Sequence, residues 1–310
     1  MDFTRLDEYL ASLLTYGFPM FDCTVHVACR EVYRRQGGYI DREKQRRHIP
    51  NTRYFLYSAS KPVTCAAALT LLERGRFGLA DPLDAYLPEF ADVSVAEKHP
   101  DGTVTTRAPR TRITVRDQFT LSAGLNYNLG APAIREAVAA SGGRAPTREI
   151  VRAIAREPLS FDPGTRWQYS LCHDVLAALV EEVSGMRFSE YVRRAVFEPL
   201  GMEHSAYHLT EDILPDMAAQ YRYNDKTHTA ERVTLQNGYI LGTEYESGGA
   251  GMISTAEDYI RFADAMANGG AGANGARILS PAAIDLMRAP ALTAAQAESY
   301  NWSQLRGYNY

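Results

Sequence analysis

Apolar residues first recur at helical spacing. Leu6, Tyr9, Leu10, Leu13 and Leu14 share one face of the stretch Phe3 to Tyr16, and Gly17 and Pro19 end it. The period then changes to two. Cys23, Val25, Val27 and Cys29 alternate with Thr24, His26, Ala28 and Arg30, which predicts a half-buried strand. Glu31 to Arg35 is expected to pair back with it before Gly37-Gly38. After a polar loop, Arg42 to Asn51, a short strand at Thr52 to Tyr57 runs into a helix ending near Gly75 and Gly78.

The middle of the chain is mostly helical in pattern. Ala80 to Phe90 is a loop pinned by Pro82 and Pro88, and Thr103 to Thr106 a hairpin arm beside Asp101-Gly102. Thr114 and Asp117 form a capping box for a short helix stopped by Gly124. Helices are expected at Pro132 to Ala140, Thr147 to Arg156 and Ser170 to Val183, the last closed by Gly185, and at Ser189 to Phe197 with Ser189 as cap. Val233 to Tyr239 reads as a strand, Gly248 to Gly251 as a tight turn, and Ser254 to Glu257 as a capping box for a helix to Ala267. A short helix follows from Ser280-Pro281 to Arg288, and Tyr300 to Tyr310 reads as the approach to a strand.

Composition narrows the class. The chain has 310 residues, 45% hydrophobic and 23% charged with net charge −4, which is ordinary globular material and no nucleic-acid binder. The basic run Arg42 to Arg47 reads as a solvated loop. No stretch has the length of a membrane span, and the amphipathic, acidic start is unlike a signal peptide, so a cytoplasmic location is expected. The four cysteines show neither C-x-x-C nor metal-ligand spacing and read as buried free thiols; no cofactor or metal is implied.

The chemistry begins at Ser58 and Lys61, three residues apart and so on one helical face. A serine hydroxyl needs an adjacent base, and a lysine one turn away serves when burial disfavours its charge. Free N–H groups at a helix start favour an oxyanion beside Ser58. The same spacing also arises by chance, with Ser58 a cap and Lys61 a solvated side chain. Tyr169 stands on a turn ahead of the helix at Ser170 to Val183. A lysine ammonium beside a phenol stabilises the phenolate, which can take the serine proton and pass it to a leaving group. Packing at the helix start is the alternative role.

Taken together and in order, YSASK (Tyr57 to Lys61), FGLADPLDAYLPEF, ITVRDQFTLSAGL, PGTRWQYS (Pro163 to Ser170), VFEPLGMEHSAY and SGGAGMISTAEDYIRF resemble the serine β-lactamase-like superfamily: class C β-lactamases, R61-type DD-peptidases and the related esterases. The resemblance implies an α/β fold of α+β type, an antiparallel sheet flanked by helices plus a helical subdomain. Sheet parts would be residues 1–62 and about 245–310, and the helical part about 63–244. It implies Ser58 as acylated nucleophile, Lys61 and Tyr169 as its proton-transfer pair, and the Ser58 N–H as half of an oxyanion hole.

Two departures qualify it. The usual Tyr-x-Asn is Tyr169-Ser170-Leu171 here, and a leucine cannot bond a substrate amide. That shifts the expected substrate from β-lactam or peptide toward esters or other small acyl substrates, with hydrolysis of a small ester or amide as the reaction and Leu171, Tyr127 and Asn128 as candidate substrate contacts. Cys172 and His173 are expected to have no chemical role. The family's Lys/His-Thr/Ser-Gly triplet is also absent, as are the C-terminal strands around it. A fragment, or a sheet completed by a partner chain or swapped segment, is therefore expected. The readings are a serine hydrolase of esterase or β-lactamase-like type on a small-molecule acyl substrate, a D-amino-acid peptidase or DD-carboxypeptidase, and a non-catalytic penicillin-binding-like scaffold or inactive fragment.

Overall fold

The computed structural model describes residues 1–300. The strand approach expected at Tyr300 to Tyr310 lies outside the described residues, Tyr300 excepted. Helix α1 (Thr4–Thr15) leads into the antiparallel hairpin of β1 (Met20–Val27) and β2 (Arg30–Gly38). Ala28 and Cys29, expected in the strand, instead form the hairpin turn, with φ of 50° and 59°. That geometry matches the twist of the flanking strands. The register also shifts between Val25 and His26, so the sequence alternation does not become one buried face. Of the apolar face of α1 only Leu10 is buried, and Tyr9 and Leu14 stay exposed.

The expected strand before the serine shrinks to β3 (Tyr54–Phe55). A 3-10 turn, Tyr57–Ala59, then carries Ser58 into α2 (Ser60–Glu73). Helix α2 buries Val63, Ala66, Ala67, Ala68, Leu69 and Leu71 together with Ser60, Lys61, Thr64 and Thr70. A helix buried on every side belongs at the centre of a core. The arm of β4 (Val95–Lys98) and β5 (Val104–Arg107) forms as expected. Helix α3 (Val115–Phe119) has the Thr114–Asp117 capping box. Helices α4 (Pro132–Ala140), α5 (Thr147–Ala155) and α6 (Cys172–Ser184) follow, and α6 stops at Gly185 with φ 71°. Helix α7 (Phe188–Val192) runs through a π turn, Arg193–Phe197, into α8 (Glu198–Leu200). Ser189 is not its cap: Arg187 holds that position, and the Ser189 N–H and hydroxyl bind the buried Glu246 carboxylate.

The expected strand at Val233 to Tyr239 is mostly loop. The strands are β6 (Gln220–Asn224) and β7 (Thr229–Val233), a hairpin across the polar stretch. Among its strand residues only Ala230 is buried, so no alternation marked it. It meets the segments that flank the N-terminal hairpin: Phe18, just before β1, stacks on Tyr223 at 4.2 Å, and the N–H of Ala219, just before β6, bonds the carbonyl of Ile40, just after β2, at 2.7 Å. This part of the stretch expected to be helical thus goes with residues 1–62. Strand β8 (Ile253–Ser254) pairs with β3. Then come α9 (Ala256–Ala267), capped by Thr255 and not Ser254, α10 (Pro281–Arg288), and α11 (Ala294–Glu298), which was not expected.

The main core is built around α2 and α6, with α3, α5 and α7 packed on α6. The strands form four two-stranded antiparallel pairs among the described residues. No helix among them is long and apolar enough to cross a membrane.

Candidate active site

The Ser58 hydroxyl is exposed at the start of α2. Its Oγ lies 2.5 Å from the Tyr169 hydroxyl and 3.4 Å from Lys61 Nζ. Lys61 is 8% exposed and donates to the Gly249 carbonyl at 2.6 Å. Its ammonium also sits 4.6 Å from the centre of the Tyr169 ring. Residues 111 apart in sequence are thereby within one hydrogen bond of each other.

Each partner is held from behind. The Gln168 N–H bonds the Leu121 carbonyl and the Leu171 N–H bonds the Asn126 carbonyl, so the Tyr169 turn is laced to the segment after α3. Facing it, α2 is stitched to the glycine turn. The Met252 N–H donates to Ser60 Oγ, the Thr64 hydroxyl donates to the Gly248 carbonyl, and Lys61 takes Gly249. Glycine is required by this approach. A Cβ on Gly248 would lie 2.3 Å from the His173 carbonyl oxygen, and one on Gly249 would lie 2.6 Å from Asp174 Oδ2 and 3.4 Å from Lys61 Nζ.

Asp174, on α6 and 1% exposed, is the carboxylate under this turn. Its Oδ1 accepts from the Tyr245 and Ser247 hydroxyls, both at 2.6 Å, and from the Gly249 N–H at 3.4 Å. Sequence reading missed it, although an acid inside an otherwise apolar buried helix is itself a signal.

Of the candidate substrate contacts, Tyr127 does reach the site. Its ring stacks on Tyr169 at 5.3 Å, and Lys61 Nζ lies 5.6 Å from its centre. Burial pushes the Tyr127 phenol up, and neighbouring Asp174, Tyr169 and Tyr239 add to this. Burial also raises the phenol of Tyr57.

Leu171 does not present itself to a ligand. It is 2% exposed and lines a small internal void with Leu125, Ile134 and Ile154. The turn before α6 buries this apolar side chain in the helical core. Asn128 borders the same void, and its amide oxygen accepts the Gly130 N–H at 3.1 Å, a local turn bond. Cys172 is fully buried, and burial pushes its thiol up to about 12. Burial, with the Lys61 charge, depresses His173 to about 3, so its imidazole is neutral at working pH. No group of side chains able to hold a metal occurs among the described residues.

An aromatic rim surrounds the cluster. Trp167 lies 6.5 Å from Tyr169, Tyr169 stacks on Tyr127, and Tyr239 touches both Tyr127 and Tyr57, at 5.9 and 5.8 Å. Trp167 belongs to the PGTRWQYS run and was open to a pocket or a packing role on sequence, whereas Tyr239 had no distinguishing sequence pattern.

A serine at a helix start, a buried lysine one turn on and a tyrosine on a facing turn, set among helices and short antiparallel strands, define the serine β-lactamase-like class. The chain belongs to the beta-lactamase family, whose model matches residues 24–310. It is 32% identical to esterase EstB of Burkholderia gladioli over 76% of this chain and 62% of that protein. It is 28% identical to the lovastatin esterase of Penicillium rubens over 86% of this chain and 67% of that one. Simvastatin synthase (LovD) of Aspergillus terreus superposes with a TM-score of 0.79 at 25% identity, covering 96% of this chain and 75% of that one. The chain spans about three fifths of the length of several curated relatives, 61% and 62% in two of them.

Proposed function

We propose that the chain carries the acyl-transfer centre of a serine hydrolase of esterase type, with Ser58 as nucleophile. The observation that carries this is the shared Oγ: Tyr169 at 2.5 Å and Lys61 at 3.4 Å converge on one exposed hydroxyl. In the proposed reaction Ser58 Oγ attacks an ester carbonyl while its proton passes to Tyr169, with the Lys61 ammonium beside the ring stabilising the phenolate form. The C–O bond to the alcohol breaks, and Tyr169 returns the proton to the departing oxygen. Water, or a second alcohol, then resolves the acyl-enzyme by the reverse path. The Ser58 N–H would stabilise the tetrahedral oxyanion.

The buried leucine at 171 and the aromatic rim support a small apolar ester over a β-lactam or D-amino-acid peptide. The partner part of the proposal is that further strands complete the sheet, from the same polypeptide or a second chain. The two-stranded β1–β2 pair and the exposed apolar residues of α1 support it. Four free cysteines fit the proposed cytoplasmic setting, which cell fractionation tests.

The test is labelling with a fluorophosphonate, located by peptide mass spectrometry, alongside turnover of a short-chain nitrophenyl ester, a chromogenic cephalosporin and a D-Ala-D-Ala peptide. Label at Ser58, lost in Ser58→Ala, with ester the preferred substrate, is expected. Label or turnover that survives Ser58→Ala refutes the nucleophile. Native mass spectrometry of the same sample reads the assembly.

A further inference from the structure

The loop after β7 enters the site at one residue, Tyr239. The chain makes three separate attachments there. The Gln236 N–H donates to Gln220 Oε1 at 2.9 Å, and the same Gln220 amide donates through Nε2 to the Tyr57 hydroxyl. The Asn237 amide, 9% exposed, donates through Nδ2 to the Ala250 carbonyl at 2.7 Å. Asn237 Oδ1 in turn accepts the Tyr239 N–H at 3.0 Å. Gln236 is therefore tied, through Gln220, to the residue that precedes the nucleophile, and its neighbour Asn237 to the glycine turn whose Gly249 carbonyl holds Lys61.

Just beyond these anchors the Tyr239 ring stands edge-on to two others, at interplanar angles of 74° to both Tyr57 and Tyr127. Edge-to-face contact is a preferred aromatic geometry, so the ring is seated and not merely close. It bridges the gap between the aromatic next to Ser58 and the aromatic stacked on Tyr169. It is also 38% exposed, so its other side faces solvent. A ring closing a gap beside a nucleophile limits the size of whatever group is bonded to that nucleophile.

We infer that Tyr239 is the specificity-determining wall of the Ser58 site, restricting the acyl group to a small one, and that Asn237 is its positioning residue. This rests on the proposed role of Ser58. Tyr239 touches neither Lys61 nor Ser58 in the described contacts, so its removal alters selectivity without dismantling the proton-transfer pair. Removing a ring from an apolar wall changes discrimination by at least as much as a methylene does, about tenfold or more.

The experiment compares two alkyl fluorophosphonates, one with a methyl and one with a long alkyl group on phosphorus. Ser58 Oγ–P forms, P–F breaks, and the serine proton leaves with fluoride to solvent. The leaving group is the same in both, so only the acyl-side group varies. Rates of Ser58 labelling are read by intact mass on the full chain, for the parent, Tyr239→Ala and Tyr239→Phe. The long-to-short rate ratio is expected to rise at least about tenfold in Tyr239→Ala and to stay at the parent value in Tyr239→Phe, which keeps the ring. Asn237→Ala is expected to raise the ratio in the same direction. A ratio unchanged in Tyr239→Ala, or raised equally in Tyr239→Phe, overturns the inference while the Ser58 reading stands. If no probe labels Ser58 in the parent, the Ser58 reading and this one fail together.

Discussion

Replacing Gly249 by alanine adds one methyl between the two charged side chains behind Ser58. In the parent geometry that methyl would sit 2.6 Å from Asp174 Oδ2, and real Cβ atoms essentially never approach another atom closer than 3.0 Å, so the atoms must part by at least about 0.4 Å. Neither neighbour yields easily. Asp174 is 1% exposed and is gripped by two hydroxyls at 2.6 Å. If the backbone gives way instead, it carries with it the Gly249 carbonyl that holds Lys61 at 2.6 Å. The Lys61–Ser58 distance of 3.4 Å is already at the outer edge of a hydrogen bond, so the same displacement breaks it. Overpacking of this kind costs about 1–3 kcal/mol, which for a chain of this size lowers Tm by roughly 2–4 °C per kcal/mol. A misplacement approaching 1 Å in a catalytic group costs about 10²-fold in rate, so a loss of roughly 10- to 100-fold is expected in Ser58 labelling. The assay is the phosphonylation rate by intact mass, beside a melting curve on the same sample. Labelling within threefold of the parent, with Tm unchanged, would refute the view that this turn sets the position of Lys61.

Two further outcomes follow from buried groups. Burial raises Glu181 to about 7 from an ordinary 4.5, although the Phe188 N–H bonded to it and nearby Arg187 and Arg148 oppose the shift. The folded state then holds a proton that the unfolded state has lost between pH 4.5 and 7, so stability falls as pH rises through that window and stays low above it. Glu181→Gln keeps the acceptor for Phe188 and removes the charge. Its Tm should exceed the parent's at pH 8 and match it at pH 4.5, and an equal difference at both pH values contradicts the argument. Leu171→Asn restores the side chain expected from the family pattern but buries an amide among Leu125, Ile134 and Ile154. It should destabilise by about 1–3 kcal/mol and gain no cephalosporin turnover, read by thermal melt and a chromogenic assay. A stable variant that hydrolyses cephalosporin would show that position 171 faces substrate.

Much of this molecule was legible in one dimension. Helices α4, α5, α6 and α10 appear within about a residue of where Pro132, Thr147, Gly185 and Pro281 mark them, because caps and breakers act locally on the backbone. Ser58 and Lys61 were also legible, since a spacing of three is a local fact about a helical turn. The β6–β7 hairpin was not. Its strands are largely polar, and Phe18, distant in sequence, supplies the ring on which Tyr223 stacks.

Sequence alone marked the serine and the lysine one turn on as candidates, and the resemblance added the tyrosine ahead of α6; that Tyr169 lies within one hydrogen bond of Ser58, 111 positions away, is tertiary. Tertiary structure decided what surrounds them. Leu171, one residue from Ser170, turns out to be core, whereas Tyr239, 70 positions after Tyr169, closes the aromatic rim. Asp174 and Gly249 meet only because α6 and the turn before β8 approach so closely that no Cβ fits between them. Local periodicity sets which face a residue occupies. Which distant segment covers that face is settled by packing, through contacts between segments that a one-dimensional pattern does not record.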